Sequence, residues 1–80
     1  MPLDKGLEEA VERFKQACLT AHMLGRYGAL PWPDFCRTQL IQYNEIASGN
    51  PKVMADRVSE GAHLIEVANR AFIVNAKRGT

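Results

Sequence analysis

Four residues of this chain have side chains that could bind a metal ion or act as a thiol nucleophile, and their spacing argues against both roles. Cys18 and His22 lie four residues apart, so on a helix both side chains project from the same face. With Cys36 and His63 they complete the residue types of a Cys2His2 zinc site. Structural zinc sites usually take a close pair of ligands from one turn, whereas these four residues belong to three separate helical segments. We therefore expect no metal and no cofactor, and we interpret both cysteines as reduced core side chains.

The remaining reactive groups predict no enzyme. Cys18 and His22 could form a local dyad, but neither a glycine-rich oxyanion turn nor a third orienting side chain accompanies them. Carboxylate pairs at helical spacing, such as Glu8 with Glu12, lie beside no apolar patch that would raise a pKa. Nucleotide-binding, dinucleotide-binding and metalloprotease motifs are absent from the sequence. We expect no catalytic residues.

Length and composition predict one globular domain, residues 1–80. Its hydrophobic fraction of 46% and charged fraction of 24% are those of an ordinary folded chain. The formal net charge of +1 is too small for a typical nucleic-acid-binding protein, so nucleic acid is an unlikely partner. No apolar run is long enough to span a membrane, and the acidic start does not resemble a signal peptide. These features predict a cytoplasmic protein without a membrane partner.

Glycine and proline are concentrated in two short stretches, which divide the chain into three helical segments. Gly25 is expected to end the first helix in a left-handed conformation, and Asn50 followed by Pro51 is expected to begin the third. No segment alternates with period two for more than a few residues, so no sheet is expected. The sequence predicts an all-α fold, a small three-helix bundle with a long C-terminal helix, with helices at residues 5–24, 33–48 and 51–77.

The core is predicted from one apolar seam on each helix, where apolar residues recur at alternating steps of three and four. On the third helix, Gly61 and Ala68 are small enough to let a neighbouring helix approach closely. The predicted core residues are Leu7, Val11, Phe14, Cys18, Leu40, Tyr43, Val58, Ile65 and Phe72.

The third helix carries a second apolar stripe and is too long for the two shorter helices to cover. The surplus stripe could be covered within one chain if the helix bends near Gly61, or by the same helix of a second copy. We favour a homodimer, because domains of this size often need oligomerisation to bury enough apolar surface. The predicted self-association residues are Leu64, Val67, Ala71 and Val74.

A second predicted interaction surface lies on the flank of the first helix. Leu19, Met23 and Tyr27 step by four outside the main seam, and Trp32 follows in the loop. Aromatic and methionine side chains are frequent anchors of protein interfaces. Trp32 could instead fold back as a lid over its own core, and both interpretations stay open.

These features together predict a small non-enzymatic helical protein that acts by protein–protein interaction. It would occupy a surface of a larger protein or complex, as a regulator, an adaptor or a stand-alone inhibitor of the kind that phages and mobile elements encode. The alternative is a dimeric nucleic-acid-associated regulator, since helix, loop and helix outline a helix-turn-helix. That outline fails in detail, because the second helix offers only Arg37 as a cation and the loop is long and rich in proline.

Overall fold

The computed structural model describes residues 5–26 and 31–78, and within these ranges it contains three α-helices and no strand. Helix α1 spans Lys5–Met23, α2 spans Trp32–Ala47 and α3 spans Pro51–Arg78. The predicted all-α bundle with a long C-terminal helix is confirmed, and every helix end lies within one residue of its predicted position. Helix α3 is continuous through Gly61.

Gly25 ends α1 as the sequence predicts. Its φ of 77° lies in the left-handed region, where a side chain would be strained. The Gly25 amide donates to the His22 carbonyl at 2.9 Å, and the Arg26 amide donates to the Ala21 carbonyl at 3.0 Å. These two bonds form a Schellman motif, which satisfies carbonyl groups that the helix end would otherwise leave without a partner.

Asn50 begins α3 by capping its first turn. The Asn50 side-chain oxygen accepts from the backbone amide of Lys52 at 3.0 Å, and Pro51 is the first helical residue. One correction concerns Ser48, which the sequence places as the last residue of the second helix. Helix α2 ends at Ala47, and Ser48 has a left-handed φ of 52°. The connection from α2 to α3 is therefore only three residues long.

The helices are arranged with α1 and α3 parallel and α2 antiparallel to both. Leu7 of α1 and Met54 of α3 line one cavity, and ten residues further along α1 the carbonyl of Ala17 accepts from Asn69 of α3. The interface of α1 with α3 is the largest of the three, and that of α1 with α2 is the smallest. Helices α1 and α2 therefore pack against each other over the shortest contact.

The core lies between the three helices at the level of Phe14, Cys18 and Val58, whose side chains are fully buried. Around them pack partly buried side chains at the edge of the core, Val11, Trp32, Phe35, Leu40, Tyr43, Met54 and Ile65. Of the predicted core residues, Leu7 is also buried. The apolar seams therefore identified the correct face of each helix.

Phe72 is the exception, and its prediction as a core residue is wrong. Its side chain is 41% exposed, and all residues from 71 to 78 are exposed. At 1.5 Å per residue, the 28 residues of α3 extend about 42 Å, compared with about 28 Å for the 19 residues of α1. The seam thus continues beyond the point where neighbouring helices cover it.

Gly61 permits the closest approach of the three helices, as its small size predicts. A Cβ atom there would lie 3.0 Å from Cζ of Tyr43 and 3.2 Å from Cε2 of Phe14. The Phe14 and Tyr43 rings meet edge to face, with centroids 5.7 Å apart and planes at 88°. Phe14 of α1, Tyr43 of α2 and Gly61 of α3 thus meet at one point.

Polar contacts also join α1 to α3. Arg13 donates to both carboxylate oxygens of Glu66, at 2.6 and 2.9 Å. This hydrogen bonding lowers the pKa of Glu66 and raises that of Arg13. The buried side chain of Asn69 donates to the Ala17 carbonyl at 3.2 Å and accepts from the Arg26 guanidinium. These bonds fix the register of the two parallel helices.

Candidate functional site

The predicted self-association residues form an exposed apolar row on α3, which we call the outer stripe: Leu64, Val67, Ala71 and Val74. Leu64 is 61% exposed, Val67 46% and Val74 48%. Val67 follows the buried Val58 by nine residues, which at 3.6 residues per turn places it half a turn around the helix from the core. From Val67 onward the stripe therefore faces away from α1 and α2, whereas Leu64 lines a small cavity together with Tyr43 and Ile46 of α2.

The spacing of the outer stripe is that of a helix–helix seam. Its members are separated by three, four and three residues, the heptad spacing with which one helix packs along another. Phe72 and Ile73 add exposed apolar surface beside it. Residues 67–78 carry three cations and no carboxylate, so this end of α3 is apolar and basic.

A second apolar surface lies between α1 and α2, in two neighbouring cavities of about 590 and 480 Å³ that share Lys15 and Asn44. We call them together the α1/α2 groove. The larger cavity is also lined by Trp32, Pro33, Cys36, Arg37, Leu40, Ile41 and Glu45. The smaller one is also lined by Leu7, Glu8, Val11, Glu12 and Met54, so Glu8 and Glu12 lie beside apolar side chains, contrary to the expectation from the sequence. Met54 is the one α3 residue among these, so the groove opens away from the outer stripe.

The predicted partner-binding patch is only partly assembled in the described residues. Trp32 is half-buried, packs against the core and also lines the α1/α2 groove. It therefore has the features of both a core lid and a surface anchor. Leu19 is half-buried and Met23 is 77% exposed, but neither is among the residues that line the groove. Tyr27 lies outside the described residues.

The cysteines and histidines do not converge on one site. Cys18 and Cys36 are buried cysteines that form no disulfide and lie close enough to hydrogen-bond, and burial raises the pKa of Cys36. His22 and His63 are both exposed. Within residues 5–26 and 31–78, no three His, Cys, Asp or Glu side chains are placed to hold a metal ion.

In the described ranges, no helix is long and apolar enough to cross a membrane. Comparison of the chain with protein-family models, with curated proteins and with solved structures gives no match.

Two features of these surfaces were missed by sequence reasoning. Ile41 is 53% exposed and lines the groove, although the predicted face of its helix does not include it. The signal was its spacing of four from Arg37 and from Glu45, which places the three on one flank of α2. Asn69 is buried between two predicted seam residues, Ile65 and Phe72, and its polarity hid it from a search for apolar periodicity.

Proposed function

We propose that this protein is a small non-enzymatic helical protein of the cytoplasm that acts by protein–protein interaction. It forms a homodimer through the outer stripe of α3 and binds a larger protein or complex through a different face. In that role it serves as a regulator, an adaptor or an inhibitor. The observation that carries the proposal is the row of exposed apolar side chains, Leu64, Val67, Ala71 and Val74, at heptad spacing.

The exposed apolar surface of the outer stripe supports self-association. Leucine and valine side chains contribute about 1.5–3 kcal/mol each when they pass from full exposure to full burial, so a half-exposed side chain contributes roughly half of that. Two copies of the stripe bury six such side chains, together with Ala71 and parts of Phe72 and Ile73. Contiguous apolar surface of this extent is uncommon on monomers, which favours a covered stripe.

The two faces of the molecule support a division of roles. The outer stripe lies half a turn from the core-facing side of α3, whereas the α1/α2 groove opens on the other side of the bundle. A dimer formed through the stripe leaves both grooves accessible. Each dimer would therefore offer two copies of one partner-binding surface.

Substitutions on the two faces test this proposal. Val67→Glu and Val74→Glu place a carboxylate in the stripe, and each should shift the mass measured by light scattering at about 100 µM from dimer to monomer. Ile41→Glu, equally exposed but on α2, is the matched control and should leave the dimer intact. Trp32→Ala should also leave the dimer intact while weakening partner binding. A wild type that is monomeric, or variants that remain dimeric, would overturn the proposal.

A further inference from the structure

We infer that the α1/α2 groove binds one amphipathic α-helix of a partner protein, a helix with an apolar face flanked by lysine or arginine. The inference rests on the proposed function in one respect, that the protein acts by binding another protein. It goes further by naming the surface and the chemistry of its partner. Helix-in-groove binding of this type places apolar anchors at helical spacing in a hydrophobic cleft.

The dimensions of the groove suit a helix of about three to four turns. From Trp32 to Asn44 the groove follows α2 for twelve residues, or about 18 Å, and the smaller cavity continues it to Leu7 and Met54. Because the α1 and α2 interface is the smallest in the bundle, the two helices leave a cleft between them. A fourth helix lying in that cleft would complete a four-helix arrangement, a common solution for packing α-helices.

Apolar side chains line both cavities of the groove. Trp32 lines one end and Val11 and Met54 the other, with Leu40 and Ile41 between. Ile41 is 53% exposed, so a bound helix would remove substantial apolar surface from water. Trp32 also lines the groove, and tryptophan is one of the residue types that most often anchor protein interfaces.

The charges on the rim favour a basic helix. Glu8, Glu12 and Glu45 stand on the rim, and Lys15 lies between them. The other cation of the rim, Arg37, donates to Asp34 at 2.8 Å. Because Arg37 is paired with Asp34, the remaining charges on the rim are three carboxylates and the Lys15 ammonium group, which is an excess of two negative charges. Opposite charges on the flanks of a partner helix would orient it and raise its association rate.

A second copy of this chain fits the groove less well, although the end of α3 is itself apolar and basic. The groove and the outer stripe lie on opposite sides of the bundle. A copy that inserted its stripe into the groove of another would leave its own groove open. Such head-to-tail contacts form rings where the rotation between copies closes and filaments where it does not, and neither assembly stops at the two copies that we propose.

A synthetic peptide provides the direct test, because Trp32 is the one tryptophan of the chain and lines the groove. The probe is an acetylated, amidated 14-residue peptide without tryptophan, with leucine at every third or fourth position and lysine on both flanks. Titration should shift the Trp32 emission to shorter wavelength in a saturable manner. The same peptide with glutamate in place of every lysine should bind at least about tenfold more weakly, and added salt should reduce the difference.

Two exposed isoleucines of α2 provide the matched variants. Ile41→Glu places a carboxylate against the leucine face of the bound peptide, where the cost of desolvating the charge exceeds its attraction to the flanking lysines, so binding should weaken at least about tenfold. Ile46→Glu, at 59% exposure, changes the same residue type on a side of α2 that lines no part of the groove, and binding should be unchanged. The Val67→Glu variant should bind the peptide as tightly as the wild type does. Loss of the dimer and loss of peptide binding are thereby measured separately.

Three results would overturn the inference. The first is no saturable emission shift with up to about 1 mM lysine peptide, far above the range of specific binding. The second is equal binding of the lysine and glutamate peptides, or equal loss in the Ile41 and Ile46 variants. The third is an emission shift that follows protein concentration without peptide and is abolished by Val67→Glu, which would identify the occupant as a second copy.

Discussion

Phe14 and Phe72 are the same residue type at opposite extremes of burial, so together they measure what core packing contributes. Phe14 is fully buried, and Phe14→Ala should lower the free energy of unfolding by about 3–5 kcal/mol. Phe72→Ala removes a ring that is 41% exposed and should cost less than about 1.5 kcal/mol. Urea unfolding followed by circular dichroism gives both values. Equal losses would place the end of α3 in the core and contradict the structure.

Glu66 makes stability depend on pH in a predictable direction. Because its hydrogen bonds from Arg13 lower its pKa in the folded state, the pair stabilises the fold at pH values above the ordinary glutamate pKa. The contribution disappears as the pH falls through the lowered folded pKa. Glu66→Gln should therefore lower the melting temperature at pH 7 and leave it unchanged near pH 2. The decrease at pH 7 should be small, because Arg13 and Glu66 are partly exposed and solvent screens their attraction.

Glu60→Gln is the control for this measurement, because Glu60 is an exposed carboxylate on the same helix with no ion pair to Arg13. Its effect should be smaller than that of Glu66→Gln at pH 7. If Glu60→Gln and Glu66→Gln changed the melting temperature equally at every pH, the ion pair of Arg13 with Glu66 would make no specific contribution to stability.

At the scale of the helices, Gly61 tests how closely α1, α2 and α3 approach one another. Alanine is the better helix former by about 0.5–1 kcal/mol, so Gly61→Ala would stabilise an isolated helix. In the bundle its Cβ would press on the Tyr43 hydroxyl and ring and on Phe14, and such overpacking costs about 1–3 kcal/mol. Net destabilisation is expected in urea unfolding.

Tyr43→Phe supplies the second arm of that experiment, since it removes the hydroxyl that lies nearest to the added carbon. The double variant should be more stable than the sum of the single effects predicts, and the difference is the coupling energy of the contact. Strict additivity would show that the Tyr43 hydroxyl does not press on a side chain added at Gly61.

The helix ends were predictable from sequence because they depend on local chemistry. Gly25 adopts its left-handed conformation and Asn50 caps its helix through contacts made within a few residues. The exposure of Phe72 was not predictable in this way, since it depends on where neighbouring helices end. The same limit applies to the groove, where Val11 of α1, Asn44 of α2 and Met54 of α3 line one cavity only through tertiary packing.

The outer stripe was predictable for a different reason. The heptad spacing of Leu64, Val67, Ala71 and Val74 is visible in the sequence, and the length of α3 indicated that the shorter helices would not cover it. Leu19 and Met23 were predicted as part of the partner-binding patch, but they do not line the groove. Their helical spacing indicates only that they share a flank of α1, and it does not indicate which residues of the other helices lie next to them. The groove that Trp32 lines was consequently beyond sequence reasoning.

On the scale of the whole molecule, the protein is a helical bundle with two separate apolar surfaces, the outer stripe and the α1/α2 groove. We propose that the stripe joins two copies while the groove stays open for a basic amphipathic helix. Two-fold symmetry would close the first contact, so association through the stripe should stop at two copies. This separation predicts that Val67→Glu and Ile41→Glu each remove one interaction and preserve the other.

Sedimentation equilibrium of the wild-type protein measures whether two copies associate. Between about 5 and 200 µM, the range in which a modest apolar interface associates, the mass should rise from 8.9 kDa toward twice that value and then remain constant. A mass of one chain at every concentration would contradict self-association through α3. A mass that continues to increase beyond two chains would contradict the two-fold contact and indicate head-to-tail assembly.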